Sequence, residues 1–465
     1  MVKPKPSPGY IWARRHALVS TAARTAWQFQ EKLEQSQWRA AEQHLAYQLR
    51  HLTSLVRHAA ANVPFYRRSL AGIADDRELT LEEWRALPIL KRRDVQAHKH
   101  DLQAETYPEN HGKSFQTSSS GSTGLPVVIL HNDITATWQK ALTFRMQLWS
   151  MRRFDLRLAV IRNYPNGKAD YPNGLLGERW SDDATLPFQT GSVAALRART
   201  PIPDQVEWLL RQRPQMLVAF PSVLDALAQF AAAENIRMPR LKRIQTVGEA
   251  HPEGIRGAAR LAFGAEIFDG YSANEIGPIA VQCPEAEHYH VQSEAVFVEV
   301  LGEGDRECAP GETGRVVVTQ LHNYAMPLVR YEIGDYATVG GSCRCGRGLP
   351  VIRRILGRQR NMMMMPDGSR FWPSFGTKMY QRVAPVRQAQ FVQPAIGRLE
   401  ARLVTERPIT EAEEAALRVL IQARVPTPVE ISFAYPESIA RNESGKYDDF
   451  ICLVETTANR PSRPA

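Results

Sequence analysis

The chain has 465 residues, more than one ordinary hydrophobic core holds, so two or three domains are expected. Hydrophobic residues make up 43% and charged residues 23%, which excludes a disordered chain, a collagen and a coiled coil. The net charge is only +9 (58 Lys+Arg against 49 Asp+Glu), with a pI near 9.3. Residues 1–60 hold nine of the basic residues and three acids, +6 of that total, but the basic residues are spread out and read as a solvated helical face. A nucleic-acid partner is not expected, because no binding motif or basic groove with interleaved aromatics accompanies the charge. The most apolar stretch, 216–233, is broken by Pro221, Asp225 and Gln229, so no membrane span is expected. The first residues, MVKPKPSPGYIW, have no apolar core leading to a cleavage site, so a cytoplasmic protein is expected. Five cysteines, oddly placed, do not make a disulfide framework.

Residues 12–60 carry few breakers and an apolar rhythm (Trp27, Leu33, Trp38, Leu45, Leu49, Leu52, Val56), which predicts one or two long helices. Pro64 ends that region, and ALPILKRRDV (86–95) reads as a turn leading into another helix. From about 115 to 300, short β-rich runs at 127–130, 158–161, 216–220, 243–248 and 265–271 alternate with helical stretches at 134–150, 204–212, 222–235 and 252–263. That alternation predicts an α/β domain with a largely parallel sheet. Residues 291–340 read as antiparallel β. The last hundred residues, with strands at 389–393, 399–404 and 429–434 and a helix at 410–424, read as a small α+β domain. The MMMM run at 362–365 reads as a buried or hinge-proximal strand.

The stretch TSSSGSTGLP (117–126) precedes the strand VVIL. Gly121 and Gly124 let backbone N–H groups turn toward one point, and the hydroxyls of Ser118, Ser119, Ser120, Ser122 and Thr123 add donors, which makes an anion cradle suited to phosphates. It is not a Walker A loop, since no Gly-Lys-Ser/Thr follows and no helix opens at its end. A second constellation is Cys343-Arg-Cys345 together with Cys283, His288 and His290 in CPEAEHYHV. Three thiolates and one imidazole, with His290 or alternatively His288, form a closed tetrahedral set of the kind that holds structural zinc. His131 and Asn132 after VVIL could approach a substrate pocket, as could Phe144, Tyr164 and Phe220, although an aromatic near a strand end is more often core.

The loop TSSSGSTGLP resembles the phosphate-binding loop of the acyl-adenylate-forming superfamily. Seven further segments appear in that superfamily's order and make the chain similar, nearly end to end, to the phenylacetate–coenzyme A ligase family and its capsule-biosynthesis-type relatives. They are NVPFYRR (62–68), LPILKRRDV (87–95), GEAHPEGIR (248–256), DGYSANEIGP (269–278), PLVRYEIGD (327–335), ILGRQRN (355–361) and SGKYDDF (444–450). The resemblance implies a large N-terminal adenylation domain of mixed α/β sheets plus a β region (1–357) and a small α+β C-terminal lid (358–465). It implies ATP-dependent activation of a small-molecule carboxylic acid, aryl or arylacetic, as an acyl-adenylate, followed by transfer to an acceptor, with coenzyme A the family default. An amide synthetase or carrier-protein loader would share the first half-reaction, and a non-catalytic nucleotide-binding protein would share only the site.

The resemblance also assigns roles. Gly248, Glu249, Ala250, Asp269, Gly270, Tyr271 and Ser272 would line the nucleotide, with the Tyr271 ring in an exposed loop stacking on the purine. Glu275 would ligate a Mg²⁺ bridging the phosphates, Asp335 would accept from the ribose hydroxyls, and Arg358 would add a charged donor. Lys446 would stabilise charge at the α-phosphate. Some relatives carry the zinc as well. Two departures stand out: Leu125 replaces the Lys that follows this loop in many relatives, and Gln359-Arg360-Asn361 replaces acidic hinge residues. A homodimer is the default oligomer.

Overall fold

The computed structural model describes residues 6–16, 21–73, 77–118, 127–150, 153–180, 186–252, 254–358, 362–371, 373, 375, 377–439 and 447–454. The chain divides into two compact units, one formed by residues 1–248 with 256–355 and the other by 356–465 with 249–255. The sequence reading put a single cut at 357/358.

In the first unit, the alternating segment folds as a six-stranded sheet. Its order is Leu175–Gly177, Val193–Arg197, Leu158–Arg162, Met216–Ala219, Arg243–Thr246, Glu266–Phe268. All neighbours run parallel except the first strand, which is antiparallel to the second. The central strand Met216–Ala219 is buried at every residue, as a strand covered on both faces must be. Helices Ile202–Gln212, Pro221–Ala233 and Ile255–Phe263 alternate with the strands. Proline in the first turn of Ile202–Gln212 and Pro221–Ala233 sits where its missing N–H costs nothing. Two expectations shift. The run VVIL does not join this sheet; Val128–Asn132 pairs with Ser114–Ser118 in a separate antiparallel hairpin, with Ser118 opposite Val128. The run at 265–271 splits into Glu266–Phe268, which joins the parallel sheet, and Gly270–Ala273, which joins another.

That other sheet has seven strands, in the order Val296–Leu301, Thr313–Gln320, Tyr331–Val339, Val351–Arg358, Tyr289–Val291, Gly277–Gln282, Gly270–Ala273. Against its inner face the helix Ala41–Asn62 buries Leu52, Val56 and Ala59 with Val316, Val318, Tyr331 and Ile333 in the main core. The N-terminal helical region forms Thr21–Ser36 and Ala41–Asn62, so Trp38, expected on an apolar helical stripe, falls in the connecting turn. Helix Asp133–Trp149 starts where the Asn132 side chain accepts the Thr135 N–H at 3.1 Å. Arg145 on that helix is completely buried and pairs with Glu294 at 2.8 Å. Burial by itself raises the Glu294 pKa, but the Arg145 charge and hydrogen bonds outweigh it and bring the carboxyl down to about 2.

The second unit is a four-stranded sheet, Glu430–Ala434, Arg398–Thr405, Val386–Gln393, Phe450–Cys452, packed with the helix Glu411–Gln422 around Phe391, Leu403, Leu417 and Ile421. Thr410 and Glu413 exchange side-chain and backbone hydrogen bonds as a capping box at the helix start. The MMMM run contributes Met363–Met364, a short strand paired with Arg370–Phe371, and the Gln393 side chain bonds both backbone groups of Met364. Among the described residues no helix is long and apolar enough to cross a membrane.

Candidate active site and metal centre

The DGYSANEIGP segment makes a tight return between two paired strands, Gly270–Ala273 and Gly277–Gln282. Alternation along the first strand turns Tyr271 inward and Ser272 outward. Tyr271 is therefore not in an exposed loop: it is 8% exposed, its ring belongs to the main core, and its hydroxyl donates to Asp335 Oδ2 at 2.8 Å. Asp335 lies on the strand Tyr331–Val339, so two segments 64 residues apart meet at this bond. A Cβ at Gly270 beside them would stand 2.7 Å from Met146 Sδ, so the Met146 side chain would have to shift to admit one.

Glu275, in the return, is 2% exposed and accepts from Arg92 Nη1 at 2.8 Å. Arg92 opens the helix Arg92–Ala97 in the LPILKRRDV segment, which carried no individual role in the sequence. The physical signal for such a partner is the cost of burying a carboxylate without a cation. Asp269 is buried as well. Its two oxygens accept from Thr246 Oγ1 at 2.8 Å and from the Tyr289 hydroxyl at 2.7 Å, and its N–H donates to Gln282 Oε1 at 3.0 Å. Burial first, and then the Asp269 charge, push the Tyr289 hydroxyl pKa up, so Tyr289 stays a neutral donor.

Gly248 has φ +79°, a left-handed backbone that favours glycine, and is exposed at the end of the first unit's opening stretch. Glu249 and Ala250 fall in the 249–255 segment of the second unit, where Glu249 Oε1 accepts the Tyr447 N–H at 2.8 Å. Arg358 is half-buried at the end of Val351–Arg358, and Ser118 is exposed at the end of its hairpin strand. Ser119, Ser120, Gly121, Ser122, Thr123, Gly124, Leu125, the Gln359–Asn361 segment and Lys446 lie outside the described residues. His131, weighed for a substrate pocket, is 1% exposed on the hairpin strand, and burial lowers its pKa to about 4.

The cysteine constellation assembles at the opposite end of the seven-stranded sheet's Tyr289–Val291 and Gly277–Gln282 pair. Donor atoms of Cys283, His288, His290 and Cys343 lie within 4.8 Å of one another. Cys283 Sγ is 3.8 Å from Cys343 Sγ, and Cys345 Sγ is 3.3 Å from His290 Nε2. Tetrahedral zinc with bonds of roughly 2.0–2.3 Å requires donor-to-donor edges of roughly 3.3–3.8 Å, so both spacings fit. His290 Nδ1 faces the Leu349 carbonyl at 3.2 Å, which assigns its proton there and leaves the Nε2 lone pair toward Cys345. The N–H groups of Glu285 and Cys345 point at the sulfurs of Cys283 and Cys343, each at 3.4 Å. His288 Nε2 is buried without a hydrogen-bond partner among the described residues. A hydrogen bond with Cys283 and further bonds from His290 and Arg347 pull the Cys345 thiol far below its ordinary range, while Cys283 is pushed up by its bond with Cys345 and by burial. Those donors suit zinc, with five candidate ligands for four positions.

Residues 363–452 match the CapK C-terminal domain family. A phenylacetate–coenzyme A ligase of Thermus thermophilus is 27% identical over 335 residues, covering 69% of this chain and 71% of the relative. One from Pseudomonas putida is 25% identical over 357 residues, covering 74% and 76%. The chain is similar in sequence to these phenylacetate–coenzyme A ligases. The chain also shares its fold with 2-hydroxyisobutyryl-CoA ligase in the postadenylation state, with a TM-score of 0.66 and 20% identity over 89% of this chain and 90% of that one. The two-part architecture, a large mixed α/β portion and a small C-terminal one, follows that solved fold.

Proposed function

We propose that the protein is an ATP-dependent, AMP-forming acyl–coenzyme A ligase that activates an aryl or arylacetic acid. The observation that carries this reading is the convergence of the DGYSANEIGP and PLVRYEIGD segments through the Tyr271–Asp335 bond, with the Glu275 carboxylate held beside them, in a chain related to phenylacetate–coenzyme A ligases.

In the first half-reaction the substrate carboxylate attacks the α-phosphate of ATP in line and pyrophosphate leaves. The 118–124 loop cradles the departing phosphates with backbone N–H and hydroxyl donors. Asp335, held in place by the Tyr271 hydroxyl, orients the ribose. The Tyr271 ring and Asp269 bound the purine side, and Arg358 adds a cation. Lys446 stabilises charge as it builds on the α-phosphate. Glu275 would hold Mg²⁺, which supplies charge neutralisation on the phosphates, and Arg92 orients that carboxylate in the meantime. In the second half-reaction the coenzyme A thiol displaces AMP from the acyl group. Cys283, Cys343, Cys345 and His290 would hold zinc, which supplies a structural crosslink between two loops of the β region.

ATP–pyrophosphate exchange with a panel of aryl, arylacetic and aliphatic acids tests the reading. Exchange that depends on one aromatic acid and on Lys446 is the expected result; ATP binding with no exchange for any acid overturns it.

A further inference from the structure

Arg347 follows the Cys343-Arg-Cys345 turn by two residues and is 6% exposed. Its guanidinium carbon lies 4.6 Å from the ring centre of Trp38 and 4.6 Å from that of Trp149, so it is sandwiched between two indoles. Its Nε donates to Gln37 Oε1 at 2.8 Å, and its Nη1 is buried without a hydrogen-bond partner among the described residues. No described carboxylate pairs with it. A guanidinium withdrawn from water in this way needs negative charge nearby, because cation–π contact returns only about 2 kcal/mol when desolvated and uncompensated burial costs more.

The surrounding contacts make the site built rather than incidental. Trp149 also stands edge-on to His290, at 5.8 Å and 87°. The Leu349 carbonyl holds the Nδ1 edge of that histidine. Gly348 donates its N–H to the Gln37 carbonyl at 3.2 Å, and a Cβ at Gly348 would lie 1.9 Å from the Arg39 carbonyl oxygen, so the loop docks on the 37–39 turn at backbone distance. One side chain thus connects the cysteine loop, the helix Asp133–Trp149 and the turn between the two N-terminal helices.

We propose that Arg347 is the counter-cation and positioning residue of the metal centre, and that its charge selects Cys283, Cys343 and Cys345 with one histidine as the ligand set. The proposal rests on the zinc reading above. Three thiolates and a neutral imidazole around a divalent zinc ion leave one net negative charge, which Arg347 neutralises. The competing set of Cys283, Cys343, His288 and His290 would be neutral and would leave the Arg347 charge uncompensated. The fifth donor, His288, is then an outer partner rather than a ligand.

The test measures zinc content and affinity of the full-length protein by competition with a chromogenic chelator, and substitutes cobalt(II) to count thiolates. The wild type is expected to hold one zinc per chain, and its cobalt form to show sulfur-to-metal charge transfer of three thiolates, reduced by a third in Cys345→Ser. Arg347→Met should weaken zinc binding by about 10–100-fold, the usual effect of removing an outer partner of a metal site, with Arg347→Lys in between because it keeps the charge and loses the planar stack. Zinc affinity in Arg347→Met within twofold of wild type overturns the role of Arg347 alone. A two-thiolate cobalt spectrum, unchanged by Cys345→Ser, overturns the ligand selection even if Arg347→Met fails to fold. A wild type that binds no zinc overturns the metal assignment itself, and the Arg347 role with it.

Discussion

The nucleotide segments and the cysteine cluster share one seven-stranded sheet, yet they treat their polar groups in opposite ways. Around DGYSANEIGP the chemistry-bearing side chains already have internal partners: Tyr271 for Asp335, Arg92 for Glu275, and Thr246 with Tyr289 for Asp269. A ligand entering there exchanges one set of hydrogen bonds for another, which suits a substrate that comes and goes. In the cysteine cluster the Cys283–Cys343 and Cys345–His290 donors face each other across tetrahedral spacings. That arrangement suits a ligand that stays. On the proposed reading, the difference separates a site for a substrate that turns over from one for a metal that stays.

The comparison is broken most severely by Lys446→Ala. Exchange should fall by about 10²–10³-fold, the scale of losing one preorganised charge-stabilising group, while ATP binding measured by calorimetry stays near wild type. Comparable turnover in the variant would remove Lys446 from the mechanism.

Glu275→Gln sharpens the nucleotide half. It breaks the ion pair between Arg92 and the buried Glu275 carboxylate, so the fold should lose about 3 kcal/mol and exchange should fall with it. Adding Arg92→Met should restore the melting temperature without restoring exchange. Recovery of both would mean that Glu275 acts only as a structural partner.

Removing metal sharpens the other half. Prolonged chelation, or Cys343→Ser, should lower the melting temperature by several degrees and leave nucleotide affinity largely intact; an equal loss of both would show that the two regions are not separable.

Acid should act on the fold through histidines buried neutral. His131, at about 4 when folded against 6.5 unfolded, binds fewer protons in the folded state. Its stabilisation is therefore complete above pH 6.5 and is lost as pH falls toward 4, a loss of about 3 kcal/mol at 1.36 kcal/mol per pH unit. His322, buried to about 3, has the same sign. A melting curve that holds level between pH 7 and 4.5 would contradict both, and His131→Phe should flatten the acid limb. The smallest effect is expected for Tyr271→Phe, about 1 kcal/mol for the lost bond to Asp335, read as a few-fold rise in the KM for ATP.

Periodicity located most elements within a few residues. Helix 134–150 is Asp133–Trp149, strand 216–220 is Met216–Ala219, and helix 410–424 is Glu411–Gln422. Their apolar spacing and caps are local, so short-range physics decides them. VVIL went to a hairpin because an isolated apolar run does not reveal its partner, and Ser114–Ser118 beside it is mostly exposed and polar, with no strand signal of its own.

By itself the sequence determined the order of the chemistry-bearing segments, the residue types for a phosphate cradle, a hard carboxylate and a thiolate–imidazole cluster, and hence the kind of reaction. Only the tertiary structure decided that Tyr271 is buried with its hydroxyl on Asp335, that Glu275 is held by Arg92 from 183 positions earlier, and that Trp38 and Trp149 enclose Arg347. Those pairings join segments with no common periodicity. They are set by which side chains the packed sheet and helices bring within 3–5 Å, and by the cost of burying any charge that lacks a partner.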